Sequence, residues 1–157
     1  MAAQGPIAGT YSFQDMVAHL VGPGGMVSLG YGSGAADEGI SIAYTEDRNN
    51  MMGGADGSVM HTLRCGKSGV ITFHLLKISP TAKKLQTMYN LQQLTSSAWG
   101  LNNIVLEQTT SGDKWLARAC AFKRAPDTSY AKEGDTLPWG FDCAFIDVYR
   151  GEYPGIA

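Results

Sequence analysis

Three cysteines and three histidines are the side chains of this sequence best suited to catalysis or metal binding. They are Cys65, Cys120, Cys143, His19, His61 and His74. Their spacings match no CxxC pair, no zinc-ligand pattern and no HxH or HExxH motif, and each histidine lies singly within a strand-like pattern. Because an enzyme needs a nucleophile, base or metal set that converges, the sequence predicts no catalytic residues and no metal site. A Cys–His pair formed in space would be the exception, and a loss of activity on changing Cys65 or His61 would reveal it.

A glycine-rich segment at residues 30–36 is the remaining pattern that resembles a ligand-binding loop. It reads GYGSGAA and lacks the lysine and the Ser/Thr ending of a P-loop. No helix signal follows it, and its spacing does not fit the dinucleotide fingerprint. A loop whose small residues permit close backbone approach explains the pattern better, so we predict no cofactor.

Composition and charge exclude several classes of protein. The 157 residues are 44% hydrophobic and 17% charged, which suits one domain with one core and is too apolar for a disordered chain. The formal net charge is -2 without a long basic run, whereas gripping phosphates requires clustered cations. No apolar run approaches the roughly 20 residues of a membrane helix, and the N-terminus lacks the pattern of a secretory signal. We therefore expect folding in the cytoplasm and no membrane partner.

Alternating patterns and turn signals predict about eight β-strands. A strand at residues 11–21 and another at 26–29 flank the turn GPGG and are expected to form a hairpin. The strongest hairpin signal is GKSG at residues 66–69, between strands predicted at 58–65 and 70–78. Residues 70–78 are apolar on both faces, which indicates a central strand. Further strands are predicted at residues 40–45, 103–109, 114–122 and 137–149, the last with Trp139, Phe141, Cys143 and Phe145 on one face.

One helix is predicted after Ser79 and Pro80, which fit an N-cap and a first helical turn. Its apolar stripe must pack on a sheet and consists of Ala82, Leu85, Met88, Tyr89 and Gln92. The fold class is therefore mainly β, a β-sandwich or barrel with one flanking α-helix.

Two segments are predicted to extend from this single domain of residues 1–157. The first, residues 1–10, is rich in small residues and is expected to be a flexible arm. The second, residues 46–57, is polar, then carries Met51 and Met52, then glycines. It is either an ordinary surface loop or an excursion whose apolar tip docks on a neighbour, because adjacent methionines form an adaptable contact surface.

The order of several short segments resembles a known family of phage structural proteins. The resemblance covers nearly the whole chain, in the same order, and is to the tail tube proteins of contractile-tailed (myovirus-type) bacteriophages. Their fold is shared with the tubes of type VI secretion and contractile bacteriocins. The segments are YSFQD (11–15), GPGG (22–25), GADGSVMHTL (54–63), KSGVITFHLLKISP (67–80), AFKRAPD (121–127), YAK (130–132) and WGFD (139–142).

The resemblance implies a structural subunit that assembles into hexameric rings, stacked as a hollow conduit for DNA inside a contractile sheath. The implied partners are further copies of itself, the tail sheath protein, baseplate or initiator proteins and the tail terminator. The tape measure protein and DNA would occupy the lumen transiently, and the mild negative charge suits a lumen that passes DNA without binding it. The implied location is the virion tail, after assembly in the host bacterial cytoplasm.

Three groups of residues are candidates for contacts between subunits. Stacking between rings is assigned to Arg48, Asn49, Asn50, Met51 and Met52. Contacts of the N-terminal arm are assigned to Pro6, Ile7 and Tyr11. The thiols of Cys65, Cys120 and Cys143 are either reduced and part-buried, or one of them forms a bond between subunits after release into an oxidising medium.

Two alternatives to the phage tail tube stay open. Within the same architecture, the chain would be a type VI secretion or bacteriocin tube subunit. In another class, it would be a monomeric β-barrel that binds a small ligand in an enclosed apolar pocket.

Overall fold

A computed structural model describes residues 6–154, which form nine β-strands and one α-helix. The predicted class, mainly β with one flanking helix, is confirmed. The strands are β1 (Met16–Gly22), β2 (Gly25–Ser28), β3 (Ala35–Tyr44), β4 (Asn49–Gly53), β5 (Val59–Leu63), β6 (Gly69–Leu76), β7 (Asn102–Gln108), β8 (Asp113–Arg124) and β9 (Thr136–Tyr149), and the helix is α1 (Thr81–Gln92). Single 3₁₀ turns lie at Phe13–Asp15 and Ser96–Ala98.

Seven of the strands form one curled antiparallel sheet that resembles half of a barrel. Their order is β2-β1-β7-β8-β9-β6-β3, so β2 and β3 are its two edges and the long strands β8 and β9 lie at its middle. Strands β4 and β5 form a separate two-stranded sheet. The predicted β1–β2 hairpin is confirmed, with Gly22 opposite Gly25.

One face of the curled sheet carries the hydrophobic core, and α1 packs on that face through Leu85 and Met88. Aromatic rings fill its centre: Phe122 and Phe141 have ring centroids 4.6 Å apart, and Phe73 meets Phe141 edge to face at 5.8 Å. Such pairs stabilise a core beyond their buried area. The predicted apolar stripe of the helix is therefore correct, and its last member, Gln92, is fully buried.

Polar contacts fix both ends of α1. At its start, Ser79 Oγ accepts a hydrogen bond from the Thr81 N–H and donates one to the Ser33 carbonyl oxygen. A Cβ on Gly34 would lie 2.8 Å from Ser79 Oγ, so the glycine-rich loop is a site of close approach, as predicted. At the helix end, the amides of Gln92 and Asn102 exchange two hydrogen bonds of 2.8 Å.

The hairpin predicted across residues 66–69 is wrong. Strand β5 pairs with β4, not with β6, and β6 lies between β3 and β9. Residues 64–68 instead lead back to the main sheet, where the Lys67 carbonyl accepts from the Ile146 N–H at 3.0 Å. The turn signal was local, whereas the partner of each strand is decided by the whole sheet. The predicted central position of β6 is correct.

Two further details differ from the sequence predictions. The first strand begins at Met16, because Phe13–Asp15 form a 3₁₀ turn that Ser12 caps by accepting from the Gln14 N–H. In β9, the buried side changes parity after Cys143: Phe145 is 48% exposed, and Ile146 is buried in its place. The change lies beside a bulge in β8, where Ala119 adopts a positive φ of 53°, and bulges re-aim the side chains around them.

Candidate functional site

The most prominent surface feature is the hairpin of β4 and β5, residues 49–63, which we call the projecting hairpin. Its register pairs Asn49 with Leu63, Met51 with His61 and Gly53 with Val59. Residues 43–67 are exposed throughout. An isolated two-stranded hairpin is marginally stable in water. Packing within the subunit therefore does not explain why the projecting hairpin lies away from the core.

Large apolar side chains cover the projecting hairpin. More than half of the surface of each side chain is exposed: 65% for Met51, 58% for Met52, 54% for Val59, 56% for Met60 and 74% for Leu63. An exposed apolar cluster of this kind marks an interaction surface. The structure thus places two of the predicted stacking residues beside three apolar residues of β5 that the sequence reasoning missed. The strand that contains them was predicted from the sequence at residues 58–65, but it was assigned to the wrong hairpin.

The other predicted stacking residues shape the hairpin itself. Arg48 Nη1 donates to the Arg64 carbonyl oxygen at 2.7 Å, and the Arg64 N–H donates to the Arg48 carbonyl oxygen at 2.8 Å. Further out, the Asn49 side-chain amide lies 3.2 Å from His61 Nδ1. These bonds hold the two strands together at the base, whereas Met51 and Met52 have their surface available for another molecule.

The tip of the hairpin, residues 54–58, is a tight turn of small residues. The Gly54 N–H donates to the Ser58 carbonyl oxygen at 2.6 Å, and Asp56 Oδ1 accepts from the Ser58 N–H at 3.0 Å. The Ser58 hydrogen bonds hold the pKa of the Asp56 carboxyl below its usual range. The tip therefore presents a carboxylate at neutral pH.

The curled sheet presents two unpaired edges in the part of the chain that the structure describes. Strand β2 pairs only with β1, and β3 pairs only with β6. Strand β3 has ten residues, of which Tyr44 is 47% exposed. An uncovered edge offers backbone N–H and C=O groups to a strand from another molecule, so both edges are candidate surfaces for lateral association.

The described part of the predicted N-terminal arm runs beside the C-terminal segment. The ring of Tyr11 meets that of Tyr153 edge to face at 6.5 Å, and residues 7–11 and 151–153 line a cavity of about 500 Å³. Pro6 is exposed, and Ile7 is 90% exposed. Residues 1–5 of the predicted arm lie outside the described residues.

The three thiols occupy different environments. Cys120 and Cys143 are buried and lie opposite each other in β8 and β9. A hydrogen bond with Cys143, together with burial, raises the pKa of the Cys120 thiol. Cys65 is exposed at the base of the projecting hairpin. Because Cys120 and Cys143 are enclosed in the core of one subunit, the prediction of a bond between subunits is left with Cys65 alone.

The histidines do not converge on a shared site. His61 is on the projecting hairpin, His19 is on β1 and His74 is on β6. Within residues 6–154, no group of three or more His, Cys, Asp or Glu side chains is arranged to hold a metal ion. The same residues include no helix that is long and apolar enough to cross a membrane.

Comparison with known proteins identifies the family. A family model described as bacteriophage PhiTE tail tube protein matches residues 8–151. The chain belongs to this tail tube family. The predicted resemblance to tail tube proteins is thereby confirmed, and the protein is a structural tail tube protein and not an enzyme.

Solved structures of contractile injection systems share the fold. One is a chain of the PVC sheath-tube complex in the extended state, with 8% identity, a TM-score of 0.57, and coverage of 90% of this chain and 92% of that chain. Another is a chain of the PVC sheath/tube terminator, with 12% identity, a TM-score of 0.57, and coverage of 94% and 99%. A chain of the anti-feeding prophage tube-terminating cap has 12% identity, a TM-score of 0.52, and coverage of 96% and 95%. A comparison with curated proteins gave no match.

Proposed function

We propose that this tail tube protein forms hexameric rings, and that the rings stack into a hollow conduit for DNA inside a contractile sheath. The projecting hairpin is the observation that carries the proposal. It exposes five large apolar side chains on a two-stranded element that has no core of its own. Contact with a subunit of the next ring would bury this surface, which includes the predicted stacking residues Met51 and Met52. The other predicted stacking residues, Arg48, Asn49 and Asn50, lie at the base of the hairpin.

The two open edges of the curled sheet support closure into a ring. A head-to-tail contact joins two different surfaces of the same chain and forms a closed ring when its rotation permits. Strands β2 and β3 are such a pair of surfaces, since they lie at opposite ends of the strand order. Lateral contact at these edges also removes the aggregation hazard of an exposed strand. The arm residues Pro6, Ile7 and Tyr11 are a second proposed contact with a neighbouring subunit.

The proposed partners follow the order of a contractile tail. The similar chains come from a sheath-tube complex, a tube terminator and a baseplate, so we assign this subunit a sheath protein, baseplate or initiator proteins and a terminator. The tape measure protein and DNA occupy the lumen in turn. The net charge of -2 disfavours binding of the passing phosphates. Assembly takes place in the host bacterial cytoplasm, and the mature subunit resides in the virion tail.

The alternatives predict different observations. A type VI secretion or bacteriocin tube would have the same architecture, but the family match is to a phage tail tube. Capsid and terminase genes adjacent to the gene of this protein would support the phage assignment. A monomeric ligand-binding barrel would keep an enclosed apolar pocket. Here the concave face of the sheet is instead filled by Phe73, Phe122, Phe141 and Trp139.

Negative-stain electron microscopy of the purified protein over a concentration series tests the proposal. We expect rings, or uniform hollow tubes whose number rises with concentration. The double variant Met51→Asp/Met52→Asp should remain folded by circular dichroism but form no tubes, because buried unpaired charges would oppose stacking. Leu94→Asp is the control, since Leu94 is 74% exposed and lies outside the hairpin. Tubes of normal length from the double variant would exclude the hairpin as the stacking contact.

A further inference from the structure

A second cavity, of about 510 Å³, lies between the start of α1 and the segment that precedes β9. We call it the lysine cavity. Lys77 Nζ lies 4.3 Å from the centroid of the Tyr130 ring and donates a hydrogen bond to the Ser129 carbonyl oxygen. These contacts hold the segment over the helix and form one wall. Its lining residues include Lys77, Lys83, Gln86, Tyr130 and Trp139.

The lysine cavity is rich in hydrogen-bond donors. Lys77 and Lys83 supply two ammonium groups, and no carboxylate lines the cavity. An ammonium group favours an acceptor that carries negative charge. The chemistry of the lining therefore points to a carboxylate as its ligand.

The tip of the projecting hairpin has the matching chemistry and size. Asp56 is fully exposed, and its Oδ1 accepts a hydrogen bond from the Ser58 N–H. The flanking residues, Ala55 and Gly57, are small enough to accompany the carboxylate into a cavity. Each strand of the hairpin has five residues, about 17 Å at the usual rise. Such a length carries the tip well beyond the residues at its base.

We propose that the lysine cavity receives the hairpin tip of a subunit in the adjacent ring, with the Asp56 carboxylate bound by Lys83. The proposal rests on the stacking of rings proposed above. A head-to-tail stack requires the hairpin of one copy to meet a different surface of the next copy. Complementary charge between the Asp56 carboxylate and the lysines of the lining selects this cavity as that surface. The apolar residues behind the tip would then contact the rim around it.

Charge reversal tests the pairing. In Asp56→Lys and Lys83→Glu, we expect the protein concentration needed for tube formation, measured by sedimentation, to rise at least about ten-fold, because each variant opposes two like charges. The combination Asp56→Lys/Lys83→Glu should recover most of this loss, which a misfolded variant would not do. Lys84→Glu is the matched control, since Lys84 is on the same helix but does not line the cavity. It should assemble at the wild-type concentration.

Cross-linking gives an independent test. A carbodiimide activates a carboxylate, and attack by an amine releases the urea and leaves an amide bond. In tubes made from a mixture of ¹⁵N-labelled and unlabelled subunits, we expect a mixed-isotope cross-link between Asp56 and Lys83. Wild-type tubes that lack this cross-link while containing others, or single variants that assemble normally, would overturn the pairing and leave ring stacking intact. A wild-type protein that forms neither rings nor tubes would instead refute the proposed function.

Discussion

Truncation of a single methionine on the projecting hairpin should weaken ring stacking far more than it weakens the subunit. Met60 lies opposite Met52 in the register of the hairpin and is 56% exposed. The variant Met60→Ala removes apolar surface that stacking would bury, but it removes no contact with the core of the subunit. Folding and assembly should therefore respond very differently to the same change.

The size of the effect follows from the exposed fraction. Complete burial of a methionine side chain contributes about 1.5–3 kcal/mol, so burial of the exposed part of Met60 contributes about 1–1.5 kcal/mol per hairpin. A hexameric ring multiplies this to about 6–9 kcal/mol for one ring-on-ring interface if the contacts add. At about 1.4 kcal/mol per factor of ten, the association constant of two rings falls by about four to six orders of magnitude.

Sedimentation over a concentration series measures this change as the lowest concentration at which tubes pellet. Urea unfolding of dilute subunits gives the matching folding measurement, and we expect a change within about 0.5 kcal/mol. Leu94→Ala is the control for an exposed apolar residue outside the hairpin. If Met60→Ala subunits pelleted at the wild-type concentration, burial of the hairpin between rings would be refuted. A large loss of subunit stability in Met60→Ala would contradict the isolation of Met60 from the core.

Four further predictions concern the subunit itself. Gln92→Met should lower the free energy of unfolding by about 2–3 kcal/mol, because the buried amide of Asn102 loses both partners; urea unfolding measures this, and a change below about 1 kcal/mol would contradict it. Native protein should react with a thiol reagent at Cys65 alone, and labelling of all three thiols without denaturant would contradict the burial of the other two. Ala119→Gly should stabilise the fold by about 0.5–1 kcal/mol in the same unfolding assay, since the residue has a positive φ; a destabilised variant would count against that backbone conformation. Asp56 should titrate below 3.8 in an NMR titration. Because the pKa of Asp56 is lowered in the folded state, the contribution of its carboxylate to the stability of the hairpin tip is present above the unfolded pKa and is lost as pH falls through the folded pKa. An ordinary or raised pKa would contradict the Ser58 hydrogen bonds.

The sequence was most informative where the determining interactions are local. Ser79 and Pro80 correctly marked the start of the helix, and the spacing of Leu85 and Met88 correctly identified its buried stripe. The GPGG turn correctly marked the first hairpin. In each case, the residues that determine the structure lie within one or two turns of chain. The fold class followed from the number of strands and the single helix.

Strand pairing was less predictable because partners are distant in sequence. The GKSG signal suggested pairing of neighbouring strands, but β6 pairs with β3 and β9. The polar pair Asn49 and Asn50 concealed β4, whose partner β5 then appeared free to pair elsewhere. Phe145 was predicted to share a face with Trp139, Phe141 and Cys143, because strict alternation cannot reveal a change of parity beside a bulge.

The candidate site was predicted in part. Two adjacent methionines in a polar segment pointed to residues 46–57, and this assignment stays a prediction. The extent of the apolar surface emerged only when β5 was placed opposite β4. The lysine cavity had no sequence signal. Its members come from the start of α1, from the segment around Tyr130 and from Trp139 in β9. Only the tertiary structure brings these distant parts of the chain together.

The position of β9 in the strand order determines when the curled sheet can form. This last strand lies between β8 and β6, so it joins the strands β2-β1-β7-β8 to the pair β6-β3. During synthesis on the ribosome, the two parts cannot be united until β9 has emerged. Pairings between such distant segments also form slowly. A nascent chain from which β9 is still missing therefore lacks the continuous seven-stranded sheet, and β9 is the strand that completes it.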